Sequence, residues 1–351
     1  MRNIRVLIAI AVVGVAVRYG VLALAPIQAE VWEPPYNPGL TGVFASNDAL
    51  AAVTTVAVGV GPEHVACASD GHFYTGLEDG RVMRIGPEDR VETVANTGGR
   101  PLGIRMASDG TLWIADSIKG IVSISPQGEV NQRLIDVDGE PMKFVDDLDV
   151  DSQGRVLFSD ASQRFDFTTT LYDFFEGSRT GRALRFDPVS GEVETLLDGL
   201  FFANGVTLGP DEQYVLINET GMGRIHRVWL AGDRQGEHEI FVDELPASPD
   251  NIRFDGESLF WVALPSLRDS LDSMAPYPWI RSLVSLLPAH ILENMANPTS
   301  MTVAVNLDGE VVHNLQDSAK GFHYITGVTP CGDELLFGSL AEEGIGRLPM
   351  P

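Results

Sequence analysis

The chain has 351 residues, of which 44% are hydrophobic, so it is long enough for one large domain with a sizeable core. The formal net charge of −25 argues against nucleic acid as a partner, because a phosphate backbone would be repelled. With 36 Gly and 21 Pro, the composition predicts a turn-rich, mostly β protein.

Residues 1–29 have the features of an export segment. Arg2 and Arg5 precede an apolar run from Val6 to Val17, which is about the length of a signal-peptide core. Small-residue patterns at 23–25 and 27–29 resemble cleavage sites. Residues 4–27 could instead remain as one signal-anchor if Arg18 reaches the interface. In both cases the body of the protein is expected to be membrane-anchored or periplasmic, outside the cytoplasm.

An internal repeat follows a Pro-rich, extended lead-in over residues 30–48. Each copy predicts four short strands separated by Gly, Asp or Pro turns, with a period of about 40 residues. The six copies open near Pro62, Pro101, Val145, Ala203, Pro249 and Thr326. This pattern predicts an all-β fold, a six-bladed β-propeller over residues 49–351. The last copy lacks a fourth strand, which an isolated N-terminal strand at residues 53–58 can supply.

Two insertions interrupt the period. Residues 163–180 are rich in aromatic side chains and fall within the third blade. Residues 265–300 fall within the fifth blade and predict an amphipathic helix over 278–295. Such a helix could pack as a lid on the propeller. It could also serve substrate access, or face a membrane beside the N-terminal segment.

The openings of the repeats predict a metal site. If the copies are arranged radially, their first residues meet at a common axis. Four of the openings offer a side-chain oxygen there, and a ring of carboxylate and amide oxygens binds hard cations such as Ca²⁺. The ligands predicted from this arrangement are Glu63, Asp146, Asn204 and Asp250, with Asn251 beside Asp250.

The chain has only two cysteines, too few for a disulfide framework. Cys67 and Cys331 follow the opening of their repeats by the same offset. Because equivalent positions in neighbouring copies are usually too far apart for a bridge, we expect two separate buried thiols. An export signal would nevertheless permit their oxidation.

Several segments together resemble the strictosidine synthase-like family, in particular its adipocyte plasma membrane-associated protein branch. These segments are GRPLGIRMASDGTLWIADSIKG, FVDDLDV, FFANGVTL, SPDNIRF and PYPWIRSL, in this order. The resemblance covers nearly the whole chain. More distantly, the chain is similar to the paraoxonases and to the senescence-marker-protein/gluconolactonase family. Those proteins are six-bladed calcium propellers with lactonase or esterase activity.

The resemblance implies the same calcium ligands as the axis pattern, with Asp146 where relatives usually carry Asn. Asp147 is expected to brace its blade by hydrogen bonds rather than to ligate. The glutamate that carries strictosidine-type condensation is replaced near Thr326, which argues against that reaction here. Leu102 stands where paraoxonases carry a histidine, so a histidine-dyad mechanism is also in doubt.

The sequence therefore predicts a calcium-dependent hydrolase of small-molecule esters or lactones. Asp250 is the first candidate for the general base that deprotonates the attacking water, and His323 is the second. Arg100 could orient an anionic substrate or form a surface salt bridge. The alternative is a non-catalytic propeller that calcium stabilises for ligand or protein binding, because the fold alone does not decide function.

Overall fold

The computed structural model describes residues 23–293 and 295–351. Most of the predicted export segment therefore lies outside the described residues. In the part of the chain that is described, none of the helices is long and apolar enough to cross a membrane.

The fold is the predicted six-bladed β-propeller, with six four-stranded antiparallel sheets. The first strand, β1 (Thr54–Ala57), belongs to the last blade. Blade 1 contains β2 (Val65–Cys67), β3 (Phe73–Gly76), β4 (Arg81–Gly86) and β5 (Arg90–Asn96). Blade 2 contains β6 (Pro101–Met106), β7 (Leu112–Asp116), β8 (Gly120–Ile124) and β9 (Val130–Leu134). A small hairpin of β10 (Asp136–Val137) and β11 (Glu140–Pro141) leads to the next blade.

Blades 3 to 6 repeat the same order. Blade 3 contains β12 (Val145–Val150), β13 (Val156–Asp160), β14 (Gly181–Phe186) and β15 (Val193–Leu200). Blade 4 contains β16 (Ala203–Leu208), β17 (Tyr214–Glu219), β18 (Arg224–Trp229) and β19 (His238–Val242). Blade 5 contains β21 (Ile252–Phe254), β22 (Leu259–Ala263), β24 (Met301–Asn306) and β25 (Val311–Gln316). Beside it, two short strands form a separate pair, β20 (Ala247–Ser248) and β23 (Ser266–Leu267). Blade 6 contains β26 (Ile325–Cys331), β27 (Glu334–Ser339) and β28 (Gly344–Pro349).

The strands near the axis are covered by neighbouring blades on both faces. Every residue of β7 and β13 is buried, so these strands are nearly continuous apolar runs rather than alternating ones. The outer strand β9 exposes four of its five residues. The core is therefore a ring of apolar layers between blades.

The ring closes as the sequence predicts. β1 pairs antiparallel with β28, from Thr54 opposite Arg347 to Ala57 opposite Gly344, and so completes blade 6. The two ends of the propeller are thereby held in one sheet.

The expectation of two separate thiols is wrong. Cys67 on β2 and Cys331 on β26 form a disulfide, with Cα atoms 6.1 Å apart. Blades 1 and 6 are adjacent in the closed ring, and their innermost strands approach each other near the axis. Equivalent positions on these two strands are therefore within bridging distance.

Both predicted insertions carry helices. The blade 3 insertion contains α1 (Thr170–Glu176), and the blade 5 insertion contains α2 (Asp269–Met274), α3 (Pro278–Val284) and α4 (Ala289–Glu293). The single helix predicted over 278–295 is broken, because Pro288 cannot continue the backbone ladder between α3 and α4. Short 3₁₀ turns occur at Gly42–Phe44, Pro87–Asp89, Phe167–Thr169, Pro210–Glu212, Thr220–Met222 and Gly232–Arg234.

Candidate functional site

The predicted site residues lie where the innermost strands begin. Register shifts interrupt the pairing of β12 within residues 145–148 and of β16 within residues 203–206. An irregularity of this kind bends a strand and redirects its side chains. Asp146 and Asn204 lie inside these two segments. The local departure from regular pairing thus accompanies the two residues that were expected to turn toward the axis.

The six strand entrances share one column of positions: Glu63, Leu102, Asp146, Asn204, Asp250 and Thr326. The residues that follow alternate between larger residues and glycine: His64, Gly103, Asp147, Gly205, Asn251 and Gly327. A Cβ on Gly103 would lie 2.5 Å from Asp147 Oδ1, and one on Gly327 would lie 3.0 Å from His64 Cδ2. Glycine in alternate blades therefore leaves room for the larger residue of the next blade.

Three carboxyl groups of this column lie within electrostatic reach of one another. Glu63 and Asp146 are only 2% and 4% exposed, whereas Asp250 is partly exposed. Burial, followed by the charges of Asp250 and Glu63, raises the pKa of Asp146 well above its ordinary value. Burial and the charge of Asp147 raise the pKa of Glu63 to about 8. Burial and the charge of Glu63 also raise the pKa of Asp250.

Amide side chains complete the group. A hydrogen bond from Asn204 to the Asp250 carboxylate partly opposes the rise in its pKa. Asn251 donates through Nδ2 to Glu63 Oε1 and to the carbonyl of Thr326, the latter at 2.9 Å. The structure thus brings together Glu63, Asp146, Asn204 and Asp250, and it places Asn251 against Glu63.

The unpaired atoms of this group fit a cation. Glu63 Oε2, Asn204 Oδ1 and Asn251 Oδ1 are buried and lack a hydrogen-bond partner. Such atoms are costly to bury unless something compensates them, and the donor set consists of oxygens, as hard cations prefer. No three His, Cys, Asp or Glu side chains within residues 23–293 and 295–351 already form a metal-binding cluster. A cation bound here would therefore need amide oxygens as ligands as well as carboxylate oxygens.

Beneath this group lies a polar layer built around a buried ion pair of Arg253 and Asp147. Arg253 donates to Asp147 Oδ2 at 3.0 Å and to Asp147 Oδ1 at 2.7 Å, and both residues are at most 1% exposed. Asp147 Oδ2 also accepts from the Val206 N–H at 2.9 Å. His64 Nδ1 lies 3.4 Å from Asp147 Oδ1. These residues come from four different blades, so the layer ties blades 1, 3, 4 and 5 together at the axis.

The electrostatics of this layer are the reverse of those above it. Burial alone would raise the pKa of Asp147, but the charge of Arg253 and the hydrogen bonds from His64 and Arg253 lower it to about 2. Burial and the charge of Arg253 lower the pKa of His64 to about 4, so its imidazole is neutral at pH 7. The sequence pattern did not identify Arg253 as a site residue, because nothing distinguishes it from its neighbours in a short strand.

Two other predicted residues are placed differently from the central group. His323 is 39% exposed and pairs through Nδ1 with Glu342 Oε1 at 2.6 Å. Arg100 is buried rather than on the surface, and its Nη2 donates to the carbonyl of Gly61 at 2.9 Å. Its charge lowers the pKa values of Glu63 and Asp146, against the larger effect of burial.

Tyr324 is a site residue that the sequence did not indicate. Its backbone has a positive φ of 52°, a conformation that is strained for a bulky residue. Burial and the charge of Asp250 raise the pKa of its phenol to about 12. The phenol is therefore near Asp250 and protonated at neutral pH. Its position two residues before Thr326, a strand entrance, could have indicated that Tyr324 lies near the axis.

An apolar roof cluster lies over the strand entrances. It contains Trp32, Leu102, Phe144, Ala161, Phe201, Phe202, Met222 and Ala275, and Phe167, Phe174, Leu271 and Leu340 pack against it. Phe144 and Phe202 meet edge to face, with ring centroids 5.2 Å apart. Leu102 immediately precedes Gly103, and Phe202 lies two residues before Asn204, so the roof cluster adjoins the polar column.

Comparison with solved structures places the fold among gluconolactonase and regucalcin propellers. A gluconolactonase from Xanthomonas campestris has a TM-score of 0.64 and 14% identity, covering 93% of this chain and 98% of its own. A calcium-binding protein, regucalcin, from Agrobacterium tumefaciens has a TM-score of 0.58 and 14% identity, covering 85% and 91%. At this identity the likeness shows the fold alone.

Sequence comparison gives the family. The model of the strictosidine synthase family matches residues 146–233, and the model of the strictosidine synthase-like N-terminal region matches residues 42–85. Strictosidine synthase-like protein 4 of Arabidopsis thaliana is 36% identical over 305 residues, covering 84% of this chain and 81% of its own. The human adipocyte plasma membrane-associated protein is 34% identical over 316 residues, covering 83% and 76%. The chain belongs to the strictosidine synthase-like family.

Proposed function

We propose that this chain is a calcium-dependent hydrolase of small-molecule esters or lactones. The observation that carries the proposal is the convergence of three carboxyl groups at the propeller axis, together with unpaired buried oxygens on Glu63, Asn204 and Asn251. Glu63, Asp146, Asn204 and Asp250 would hold the ion, with Asn251 beside them. The solved calcium-binding regucalcin propeller adds support from a shared fold.

Repulsion among the carboxylates explains why a divalent cation suits this place. Their pKa values are raised because each carboxylate loses hydration and faces the negative charge of the others. A nearby positive charge would favour the ionised forms, and the unpaired oxygens could coordinate it. Bound calcium would also supply Lewis-acid polarisation of a substrate carbonyl at this position.

Residues of this chain can accept the proton of the attacking water and orient the group that accepts it. Asp250 is the most exposed carboxylate of the three, so it can reach an attacking water and accept its proton. The Tyr324 phenol remains a hydrogen-bond donor at neutral pH because its pKa is about 12. It can therefore orient the Asp250 carboxylate. His323 pairs with Glu342 and stays a second candidate for the base.

The roof cluster favours apolar substrates. Its aromatic and aliphatic side chains adjoin the polar column, an arrangement typical of small-molecule sites that combine an apolar wall with a few polar groups. The net charge of −25 disfavours polyanionic ligands such as nucleic acid. Membrane attachment through the N-terminal segment remains part of the proposal, and relatives named as plasma membrane-associated support it.

The test measures calcium binding and turnover on the same preparation. Calorimetry and thermal melting with and without a chelator report binding. Release of phenol from phenyl acetate and opening of simple lactones report turnover. We expect both activities to require calcium. Asn204→Ala should weaken calcium binding, whereas Asn131→Ala, at an exposed outer-strand position, should leave it unchanged.

The same measurements separate a hydrolase from a calcium-pinned binding propeller. The predicted ligands come from four different blades, so an ion there would also join those blades. Protein that binds calcium but turns over none of the esters or lactones, with Asp250→Asn changing only the melting temperature, would support the binding propeller. Protein that does not bind calcium would contradict both versions.

A further inference from the structure

Helix α3 has the reverse of the usual polarity for a surface helix. Its buried residues are Arg281 and Ser282, and Ser285 just beyond it is 1% exposed. Leu283 and Leu287 of the same segment face outward, each 40% exposed, whereas Val284 packs against the buried cluster around Ile27. A helix on a water-soluble surface normally shows its polar side to solvent. The outward face of α3 is therefore suited to an apolar environment.

The inward polarity has a specific structural cause. The Arg281 guanidinium donates to the carbonyl of Phe175 at 2.6 Å, to that of Glu176 at 3.0 Å, and to that of Glu30. It also lies 4.1 Å from the centroid of the Trp32 ring. Arg281 thus fixes α3 to α1 and to the extended lead-in, which holds the apolar side outward.

The exposed apolar face extends beyond α3. Tyr277, Trp279, Leu283, Leu286, Leu287 and Ile291 are each between 39% and 49% exposed, and we call them the outer apolar face. Residues 273–292 contain no Asp or Glu, although the chain has 49 acidic residues. Exposed Trp and Tyr beside leucines are typical of membrane interfaces, where the rings lie at the level of the headgroups.

The start of the described chain lies beside this region. Ile27 packs in a buried cluster with Phe165, Phe175 and Leu292, and Leu292 is on α4 next to Ile291 of the outer apolar face. In sequence, Ile27 lies about 10 residues after the end of the apolar run of residues 6–17, and a fully extended chain of that length spans at most about 33–36 Å. The described chain therefore begins on the side of the molecule that carries the outer apolar face.

We propose that the outer apolar face docks on the surface of a lipid bilayer. The side chains would enter the boundary between headgroups and acyl chains, as interfacial helices do. The acid-free stretch avoids the repulsion that the rest of this acidic chain would have with anionic lipids. This inference is independent of the hydrolase proposal, because it concerns the outside of the insertion and not the axis.

The test uses the full chain bound to phosphatidylcholine vesicles, with or without bromine on the lipid acyl chains. Bromine quenches tryptophan fluorescence at close range. Trp279 is the only tryptophan of residues 265–300, while Trp32, Trp113 and Trp261 are buried. We expect brominated lipid to quench the wild type, and Trp279→Phe to remove most of that quenching.

Two matched triple variants locate the contact. Leu283→Ser, Leu287→Ser and Ile291→Ser together should abolish quenching of Trp279 while the chain stays bound through its N-terminal segment. Val189→Ser, Ile240→Ser and Val312→Ser, at exposed positions on outer strands and turns of the propeller outside the insertion, should leave the quenching intact. Wild type without quenching, or equal quenching in the first triple variant, would overturn the proposal. Cross-linking between the Trp279 regions of two copies in the absence of lipid would also overturn it, because a second copy would then cover the outer apolar face.

Discussion

Asp146 and Asp147 are consecutive residues, both at most 4% exposed, and their pKa values move in opposite directions. The pKa of Asp146 rises well above its ordinary value because burial and neighbouring carboxylates disfavour its charge. The pKa of Asp147 falls to about 2 because Arg253 and His64 compensate the same burial. Glu63, Asp146 and Asp250 form an upper layer at the axis, whose charges have no ion-pair partner among the described residues. Asp147 and Arg253 form a lower layer, whose charges are paired.

The difference shows what each layer can do. A buried carboxylate with an arginine partner has its interactions satisfied within the protein, so it contributes to rigidity. A buried carboxylate among like charges is destabilising until a proton or a cation joins it. The position of Arg253 beside one aspartate and not the other therefore separates the structural layer from the candidate site.

The largest effect is expected from breaking the lower layer. Arg253→Met leaves Asp147 buried without its counter-charge, and removing one partner of a buried pair costs about 3–5 kcal/mol. Chemical unfolding measures the free energy of unfolding. Arg84→Met removes a comparable but exposed arginine, paired with Glu92, and should cost less than about 1 kcal/mol. Equal losses in the two variants would contradict the assigned role of Arg253.

The upper layer should respond in the opposite sense. Asp146→Asn removes one of three crowded carboxylates whose pKa values are raised, so it should stabilise the calcium-free protein at pH 8. The same substitution should reduce the stabilisation that added calcium gives. Melting curves with chelator and with calcium test both effects. Asp109→Asn, in an exposed turn, should change neither curve.

Asp173 is a third buried aspartate, and a single neighbouring carboxylate, Glu176, adds to the effect of burial on its pKa. Burial raises the pKa of Asp173 on α1 to about 7, although Ser162 and Ser178 partly oppose it. A raised folded-state pKa gives stability that is complete below the ordinary value of 3.8 and is lost as pH rises through about 7. Asp173→Asn should therefore match the wild type near pH 4 and exceed its stability by about 1.4 kcal/mol or more at pH 8.

The sign of this dependence has an internal control. Hydrogen bonds from Thr168 and Thr169 lower the pKa of Asp166, in the same insertion, despite a smaller effect of burial. Asp166→Asn should therefore be less stable than the wild type at pH 8, and the deficit should shrink below pH 4. Parallel profiles for the two variants would show that the pKa of Asp173 is not raised.

The fold and the central group of residues could be predicted because the repeat fixes both. A period of four strands places each opening residue at the axis, so residues far apart in sequence share one column. The alternation of glycine with larger residues was also readable, since Gly103, Gly205 and Gly327 each follow an opening residue. The internal repeat thus predicted which residues, far apart in the sequence, lie close together in the fold.

Three features did not follow from periodicity. Arg253 pairs with a residue 106 positions away, and nothing in its own strand indicates that partner. The Cys67–Cys331 bridge depends on how closely adjacent inner strands approach, which repeat equivalence does not give. The reversed polarity of α3 depends on backbone carbonyls that Arg281 reaches, and carbonyls carry no sequence signature.

The pairing of β1 with β28 has a consequence for how the protein folds during synthesis. β1 precedes the other strands of the propeller in the sequence, and its partner β28 follows much later, since Thr54 lies opposite Arg347 at a separation of 293 residues. Until then the edge of β1 has no neighbour, and contacts of such long sequence separation form slowly. The sheet of blade 6, and with it the ring, can therefore close only after β28 has been synthesised.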